Sequence, residues 1–244
     1  MIPSILPSTG PIGVFDSGYG GLTILDKIRG LMPEYDYIYL GDSARCPYGP
    51  RSFEVVYEFT LQAVSKLFEL GCPLVILACN TASAKALRTI QQINLPVIDA
   101  TRRVLGVIRP TAECIGEITR SRHVGILATA GTIKSESYLL EIHKLSPDIV
   151  VTGEACPMWV SLVENNEYQS EGADYFVKQH INRLLDKDPM IDTIILGCTH
   201  YPLLLDKIRQ FTPEPIRIIS QGGICGPEPA RLFKPPSGNG RTLR

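Results

Sequence analysis

Residues 74–83 read LVILACNTAS, and residues 193–202 read TIILGCTHYP. In each, a run of aliphatic residues ends in one small residue, a cysteine and two polar residues. A short continuous apolar run bounded by polar residues reads as a strand buried on both faces. The cluster Asn80, Thr81 and Ser83 then reads as the start of a helix. The same strand-to-helix junction therefore occurs twice, and it sets the expectation of an α/β fold built from two similar halves.

Working outward, further short β-branched runs appear at 12–15 (IGVF), 37–40 (YIYL), 124–127 (VGIL), 149–151 (IVV) and 216–219 (IRII). Amphipathic stretches lie between them, at 51–70 with Phe53, Val56, Phe59, Leu67 and Phe68, and at 171–187 with Phe176, Ile181, Leu184 and Leu185. Strands alternating with helices predict βαβ units and mainly parallel sheets. IGVFDSGYGG at 12 pairs with LVILACNT, and VGILATAGTI at 124 pairs with TIILGCTH, so the chain reads as a weak internal repeat. The expectation is two similar doubly wound α/β lobes related by pseudo-twofold symmetry. In such sheets ligands bind beyond the carboxyl ends of the strands. Two facing lobes would put Cys79 and Cys198 on opposite sides of one cleft. Residues 99–112 (DATRRVLGVIRPTA) read as the crossing between lobes, with Pro110 ending or kinking a helix. The tail from 234, KPPSGNGRTLR, is expected to be disordered.

With 244 residues, 44% hydrophobic, 20% charged and a net charge of -1, the composition is that of an ordinary globular protein. It shows no basic excess that would favour nucleic acid or acidic membranes. The start, MIPSILPSTG, lacks the basic and apolar regions of an export signal, and no apolar run is long enough for a membrane span. The cysteines at 46, 72, 79, 114, 156, 198 and 225 are odd in number and without CxxC spacing. That argues against a disulfide framework or a zinc knuckle and for the reducing cytoplasm.

Each motif has a plain reading beside a chemical one. FDSGYGGLT (15–23) is either a glycine turn or a loop whose following helix offers amides to an anion; it lacks the nucleotide fingerprint. YLGDSARCPYGPRS (39–52) is a rigid connection, with Asp42 and Ser43 capping a turn, or a loop lining a site. Free cysteine is commonly a small buried hydrophobe, and Cys46, Cys72, Cys114, Cys156 and Cys225 keep that reading. Cys79 and Cys198 differ because they recur at matching strand ends, where helix N-termini are expected to lower the thiol pKa. His200 either caps the next helix or serves as a proton-transfer partner for Cys198, two residues away. His123, His143 and His180 read as surface residues. A metal on Cys79, Cys198 and His200 would lack the usual ligand spacing, and none is expected.

Two opposed thiols suit inversion of a carbon stereocentre, with one thiolate taking a proton from one face and one thiol returning a proton to the other. The α-proton of an amino acid is a weaker acid than a thiol by ~10 units, roughly 14 kcal/mol. Closing that gap needs polar groups aimed at the substrate carboxylate and exclusion of water. Asn80, Thr81 and Thr199 stand in the right places for the first task. No cofactor is expected.

In order, FDSGYGGLT, YLGDSARCPYG, LACNTAS, GILATAGTIKSESY, EACPMWVSLVE and GCTHYP resemble the bacterial glutamate racemases, from about residue 12 to about residue 221. The resemblance implies cofactor-independent interconversion of L- and D-glutamate, supplying D-glutamate for peptidoglycan. It implies Cys79 as the base for D-glutamate and Cys198 as the base for L-glutamate, with Asp16 assisting the first and His200 the second. Substrate contacts would come from Asp16, Ser17, Tyr48, Gly49, Asn80, Thr81, Thr199 and His200. It also implies a homodimer, and lobes of 1–101 plus 204–244 against 102–203. Cys46 stands where the family often has an apolar residue, and ICGPEPARLFKPPSGNGRTLR departs from the expected closing helix. Rival readings are an aspartate racemase, a two-lobed amino-acid binding protein and a thiol redox protein. A decarboxylase of the same superfamily would keep one thiol only.

Overall fold

A computed structural model describes residues 10–221. The chain forms strands β1 (Ile12–Asp16), β2 (Tyr37–Gly41), β3 (Leu74–Leu77) and β4 (Arg103–Gly106), then β5 (His123–Ala128), β6 (Val150–Ala155), β7 (Thr193–Gly197) and β8 (Arg217–Ser220). The helices of the first half are α1 (Leu22–Leu31), α2 (Phe53–Glu69), α3 (Asn80–Lys85) and α4 (Leu87–Thr89), followed by a π turn (Ile90–Asn94) and α5 (Leu95–Ile98). The second half carries α6 (Ile108–Ile118), α7 (Ala130–Lys134), α8 (Ser137–Leu145), α9 (Pro157–Glu164), α10 (Glu171–Lys187) and, after a 3-10 turn at Tyr201–Leu204, α11 (Leu205–Phe211).

The strands make two four-stranded parallel sheets, ordered β2-β1-β3-β4 and β6-β5-β7-β8. The orders are the same once β1 is matched to β5 and β3 to β7, so the repeat read from the sequence is a repeat of topology. Alternate residues of each central strand feed opposite faces. In β3, Val75 and Leu77 pack under α2 and α3 with Phe15, Val56 and Leu67, whereas Ile76 packs with Ile12, Val14 and Ile24 of α1. In β7, Ile194 and Leu196 join Trp159, Val177 and Leu184, whereas Ile195 joins Ile115, Val124 and Ile142. Burial on both faces explains why these strands are apolar without alternation. Truncating one such side chain to alanine costs about 2–5 kcal/mol.

The sheets divide the chain differently from the expected lobes of 1–101 plus 204–244 and 102–203. Arg103–Gly106 pairs with β3 and extends the first sheet, while β8 pairs with β7 and extends the second. The crossing therefore falls at Val107, between β4 and α6, and the chain stays with the second sheet through Ser220. Pro110 neither ends nor kinks a helix. It is the third residue of α6, where its missing N–H would have had no partner anyway. The rest of the expected closing segment, Cys225 and the tail from 234 lie outside the described residues. Among the described residues, no helix is long and apolar enough to cross a membrane.

Candidate active site

Equivalent topology carries the two thiols to equivalent places. Cys79 follows β3 and caps α3, its sulfur accepting from the Ala82 N–H at 3.4 Å, with the Ser17 hydroxyl at 3.5 Å. Cys198 follows β7 and lies 3.9 Å from Nδ1 of His200. Both thiols line one small cavity of about 20 Å³. Nine of the ten residues singled out from the sequence line it: Ser17, Tyr48, Gly49, Cys79, Asn80, Thr81, Cys198, Thr199 and His200. Pro47, Thr129 and Val160 complete the wall.

Asp16 is the exception. It is fully buried behind the cavity, accepting from the Gly18 N–H at 3.1 Å and the Thr199 hydroxyl at 3.3 Å. Burial pushes its pKa up, and the charge of His200 opposes that rise. The hydrogen-bonding partners of Cys79 are thus Ser17 and the Ala82 amide, while Asp16 acts on that thiol through its field.

The glycines of FDSGYGGLT serve close approach. A Cβ on Gly20 would stand 2.7 Å from Thr199 Oγ1 and 2.9 Å from His200 Nδ1, and one on Gly21 would stand 2.6 Å from the Asp16 Cβ. The amides of Leu22, Thr23 and Ile24 bond to Tyr19, Gly20 and Gly21 carbonyls. They are spent inside the turn, so the glycine-turn reading holds and the anion-binding one does not.

The expectation of lowered thiol pKa values is overturned. Burial, reinforced by the nearby Asp16 carboxylate, pushes Cys79 up to about 11 despite hydrogen bonds from Ser17 and Ala82. Burial also raises Cys198, and the Cys79 and Asp16 charges add to it. The helical segments after the thiols are a six-residue helix and a four-residue 3-10 turn. Their partial charges, confined to one turn, do not offset full desolvation.

Several contacts hold the lobes shut over the cavity. The Gly131 N–H donates to the Gly49 carbonyl at 3.1 Å, where a Cβ on Gly49 would meet the Thr129 Cβ at 2.9 Å. The Thr81 and Thr129 hydroxyls are 2.9 Å apart, and the Tyr19 hydroxyl donates to the Val163 carbonyl at 3.1 Å. The Asn80 carbonyl oxygen accepts from Tyr138 at 2.7 Å and from Gln221 at 2.6 Å, so this side chain is engaged across the lobes. Tyr48 is buried between Phe15 and Phe59, and its hydroxyl donates to Asp42 at 2.5 Å.

Sequence reasoning gave no role to Glu164, the last residue of α9. Its carboxylate sits 2.5 Å from His200 Nε2, at the site's edge. In the tautomer whose Nε2–H donates to that carboxylate, the Nδ1 lone pair faces Cys198. His180 is corrected too: it is 4% exposed and held by Glu154 at 2.7 Å, inside the second lobe. His123, half-buried, bonds Asp188, whereas His143 is exposed as expected and bonds the Ile149 carbonyl. Cys46 lies beside the site, 3.6 Å from Glu164.

Comparison with known proteins places this geometry. Residues 23–222 match the family model of the Asp/Glu/Hydantoin racemases. A glutamate racemase of Bacillus cereus is 42% identical over 86% of this chain and 76% of its own length. The crystal structure of a Bacillus anthracis glutamate racemase isoform superposes with a TM-score of 0.81 at 38% identity, covering 89% of this chain and 79% of that one. A Francisella tularensis glutamate racemase in complex with D-glutamate gives 0.75 at 36% identity, covering 88% and 77%. The sequence motifs, the duplicated sheets and the paired thiols converge with these likenesses: the chain belongs to the glutamate racemases, a family of amino-acid racemases within the isomerases.

Proposed function

We propose that this chain interconverts L- and D-glutamate by two-base proton transfer, without a cofactor. The carrying observation is that Cys79 and Cys198 follow equivalent strands of two duplicated sheets and line one small cavity. Cys79, as thiolate, takes the α-proton of D-glutamate while Cys198, as thiol, protonates the opposite face; the roles exchange for L-glutamate. His200 accepts the Cys198 proton at Nδ1 with Glu164 steadying the imidazole. Asp16 and Ser17 attend Cys79. Asn80, Thr81 and Thr199 hold the substrate carboxylate as it gains enolate character, and Tyr48 and Gly49 complete the wall.

A cavity of about 20 Å³ is room for about one water. Glutamate therefore enters when the lobes part, and closure expels water before the weakly acidic proton is moved. At neutral pH a thiol near pKa 11 is almost wholly protonated, so turnover needs a thiolate made in the closed site by a neighbouring base. The D-glutamate formed supplies peptidoglycan, and the enzyme works in the cytoplasm as a homodimer.

The test is incubation of purified protein with each glutamate enantiomer in D2O, following α-deuteration by NMR and optical rotation by circular dichroism, with aspartate in parallel. Exchange and racemisation of glutamate are expected with no additive. A folded protein that does neither ends the proposal, and activity confined to aspartate reassigns the substrate.

A further inference from the structure

Beside the cavity, at His200 of its wall, three side chains of different chemistry converge from three separate segments. Cys46 comes from the loop between β2 and α2 in the first lobe, Glu164 from the end of α9 and His200 from the turn after β7 in the second. The Cys46 sulfur, a Glu164 oxygen and a His200 nitrogen all lie within 4.8 Å of one another. Among the described residues, this is the one cluster of three such donors. The Cys46–Glu164 separation is 3.6 Å and the His200–Glu164 separation 2.5 Å. Tetrahedral zinc with Zn–S of about 2.3 Å and Zn–N and Zn–O of about 2.0 Å sets its ligand atoms roughly 3.3–3.5 Å apart. Cys46 and Glu164 already match that spacing. His200 and Glu164 need to separate by roughly 1 Å, and Glu164, at 28% exposure, has room to swing while His200 at 2% does not. Thiolate, imidazole and carboxylate together favour zinc or cobalt over magnesium or calcium, which prefer oxygen ligands.

We propose that Cys46, Glu164 and His200 form an inhibitory site for a thiophilic divalent cation, zinc first, which staples the closed lobes and silences His200. Binding replaces hydrogens by metal: the Cys46 thiol releases its proton to solvent, and the hydrogen on His200 Nε2 moves to Nδ1. The relocated hydrogen removes the lone pair that faces Cys198, 3.9 Å away. The metal also ties the first-lobe loop carrying Cys46 to two residues of the second lobe, so the cleft cannot open. Inhibition rests on the racemase reading given above; metal binding does not.

The experiment titrates the full chain with cobalt(II) without oxygen, reading the thiolate-to-cobalt charge-transfer band and the visible bands of a tetrahedral site. A parallel zinc titration measures racemisation. One tightly bound cobalt with a thiolate band is expected, together with zinc inhibition reversed by a chelator. Cys46→Ser should lose the band, keep metal-free racemisation and weaken zinc inhibition at least ~10-fold. Should that variant misfold by circular dichroism, zinc protection of Cys46 from alkylation in the unmutated protein, read by peptide mass, decides instead. A thiolate band or zinc inhibition that survives Cys46→Ser would place the metal on another cysteine and overturn the proposal. So would the absence of any cobalt binding or of zinc protection. A Cys46-dependent cobalt band in a protein that leaves glutamate untouched would keep the site and sink the racemase reading.

Discussion

Replacing Glu164 by glutamine tests the Cys198 side of the site without touching either thiol. The carboxylate accepts from His200 Nε2 at 2.5 Å, a charge-assisted contact. Such bonds contribute about 1.5–3 kcal/mol, which at 1.36 kcal/mol per decade is roughly a 10- to 150-fold fall in kcat/KM. A racemase has an equilibrium constant of one, so the fall must be the same from either enantiomer, and rates alone cannot reveal which face is impaired. Isotope effects can. In Glu164→Gln, removal of the α-proton by Cys198 becomes the slow step from L-glutamate, and α-deuterated L-glutamate should show a large primary effect on kcat/KM. From D-glutamate the Cys79 step is not slowed, and return of the proton from Cys198 limits turnover, so the primary effect should shrink. Both are read by circular dichroism with protiated and deuterated substrates. Activity within twofold of the parent would refute the role of Glu164. The larger isotope effect appearing from D-glutamate would mean that the two thiols have been given the wrong faces.

Three further outcomes follow from the packing and the titrating groups. Gly20→Ala puts a methyl 2.7 Å from Thr199 Oγ1 and 2.9 Å from His200 Nδ1; kcat/KM should drop about 100-fold with the melting temperature nearly kept, and unaltered kinetics would show that the lobes need not approach so closely. Cys79 is raised from its ordinary value of 9.0 to about 11, so the folded state holds the proton more tightly. That stabilisation is complete below pH 9 and lost as pH rises through 11, about 3 kcal/mol in all; urea unfolding of the parent minus Cys79→Ser across this window should show it, and a flat difference would contradict the burial argument. Burial pushes Asp192 up, but bonds from the Ser121 and Arg120 amides and the Thr119 and Thr193 hydroxyls outweigh it and hold the carboxyl well below its usual range. Its contribution is present above pH 3.8 and lost as pH falls; Asp192→Asn should cost about 1–3 kcal/mol at pH 7, with the gap to the parent closing in acid on chemical denaturation.

The sequence shows most where one physical signal suffices. Val75, Ile76 and Leu77 are apolar in succession because both faces of β3 are covered, and Ile194, Ile195 and Leu196 repeat that state in β7. Position after those strands then locates Cys79 and Cys198. Where two signals compete, the reading slips. Arg103–Gly106 is a four-residue strand at the edge of its sheet, entered from Arg102 and left at a glycine, and such a length carries no period of its own. His180 has polar neighbours, Gln179 and Asn182, yet it falls on the buried stripe of Ala173, Val177, Ile181 and Leu184; helical spacing held that information, and residue type masked it. Glu164 offers no local signal, because a glutamate ending an amphipathic helix is ordinary until His200 arrives from another strand.

The thiols carry the same lesson into the chemistry. Reading a helix N-terminus beside a cysteine implies an easy thiolate, but that inference weighs a local dipole and omits the whole-fold consequence of closing the lobes. The closure that brings Thr199 and His200 against Gly20 also removes both sulfurs from water, at 4% and 7% exposure. Desolvation favours the neutral thiol in each case, and it strengthens every charge that remains. On the proposed mechanism, a site built this way holds its acid ready and must make its base on demand, which would put proton movement through His200 and the Asp16 field into the activation step itself. It follows that a variant unable to close should contain a more acidic, more easily alkylated Cys79 and yet racemise more slowly. Measured together in Gly20→Ala, iodoacetamide reactivity at Cys79 should rise while turnover falls. Reactivity and turnover rising or falling in step would mean that thiolate population, not closure, limits this enzyme.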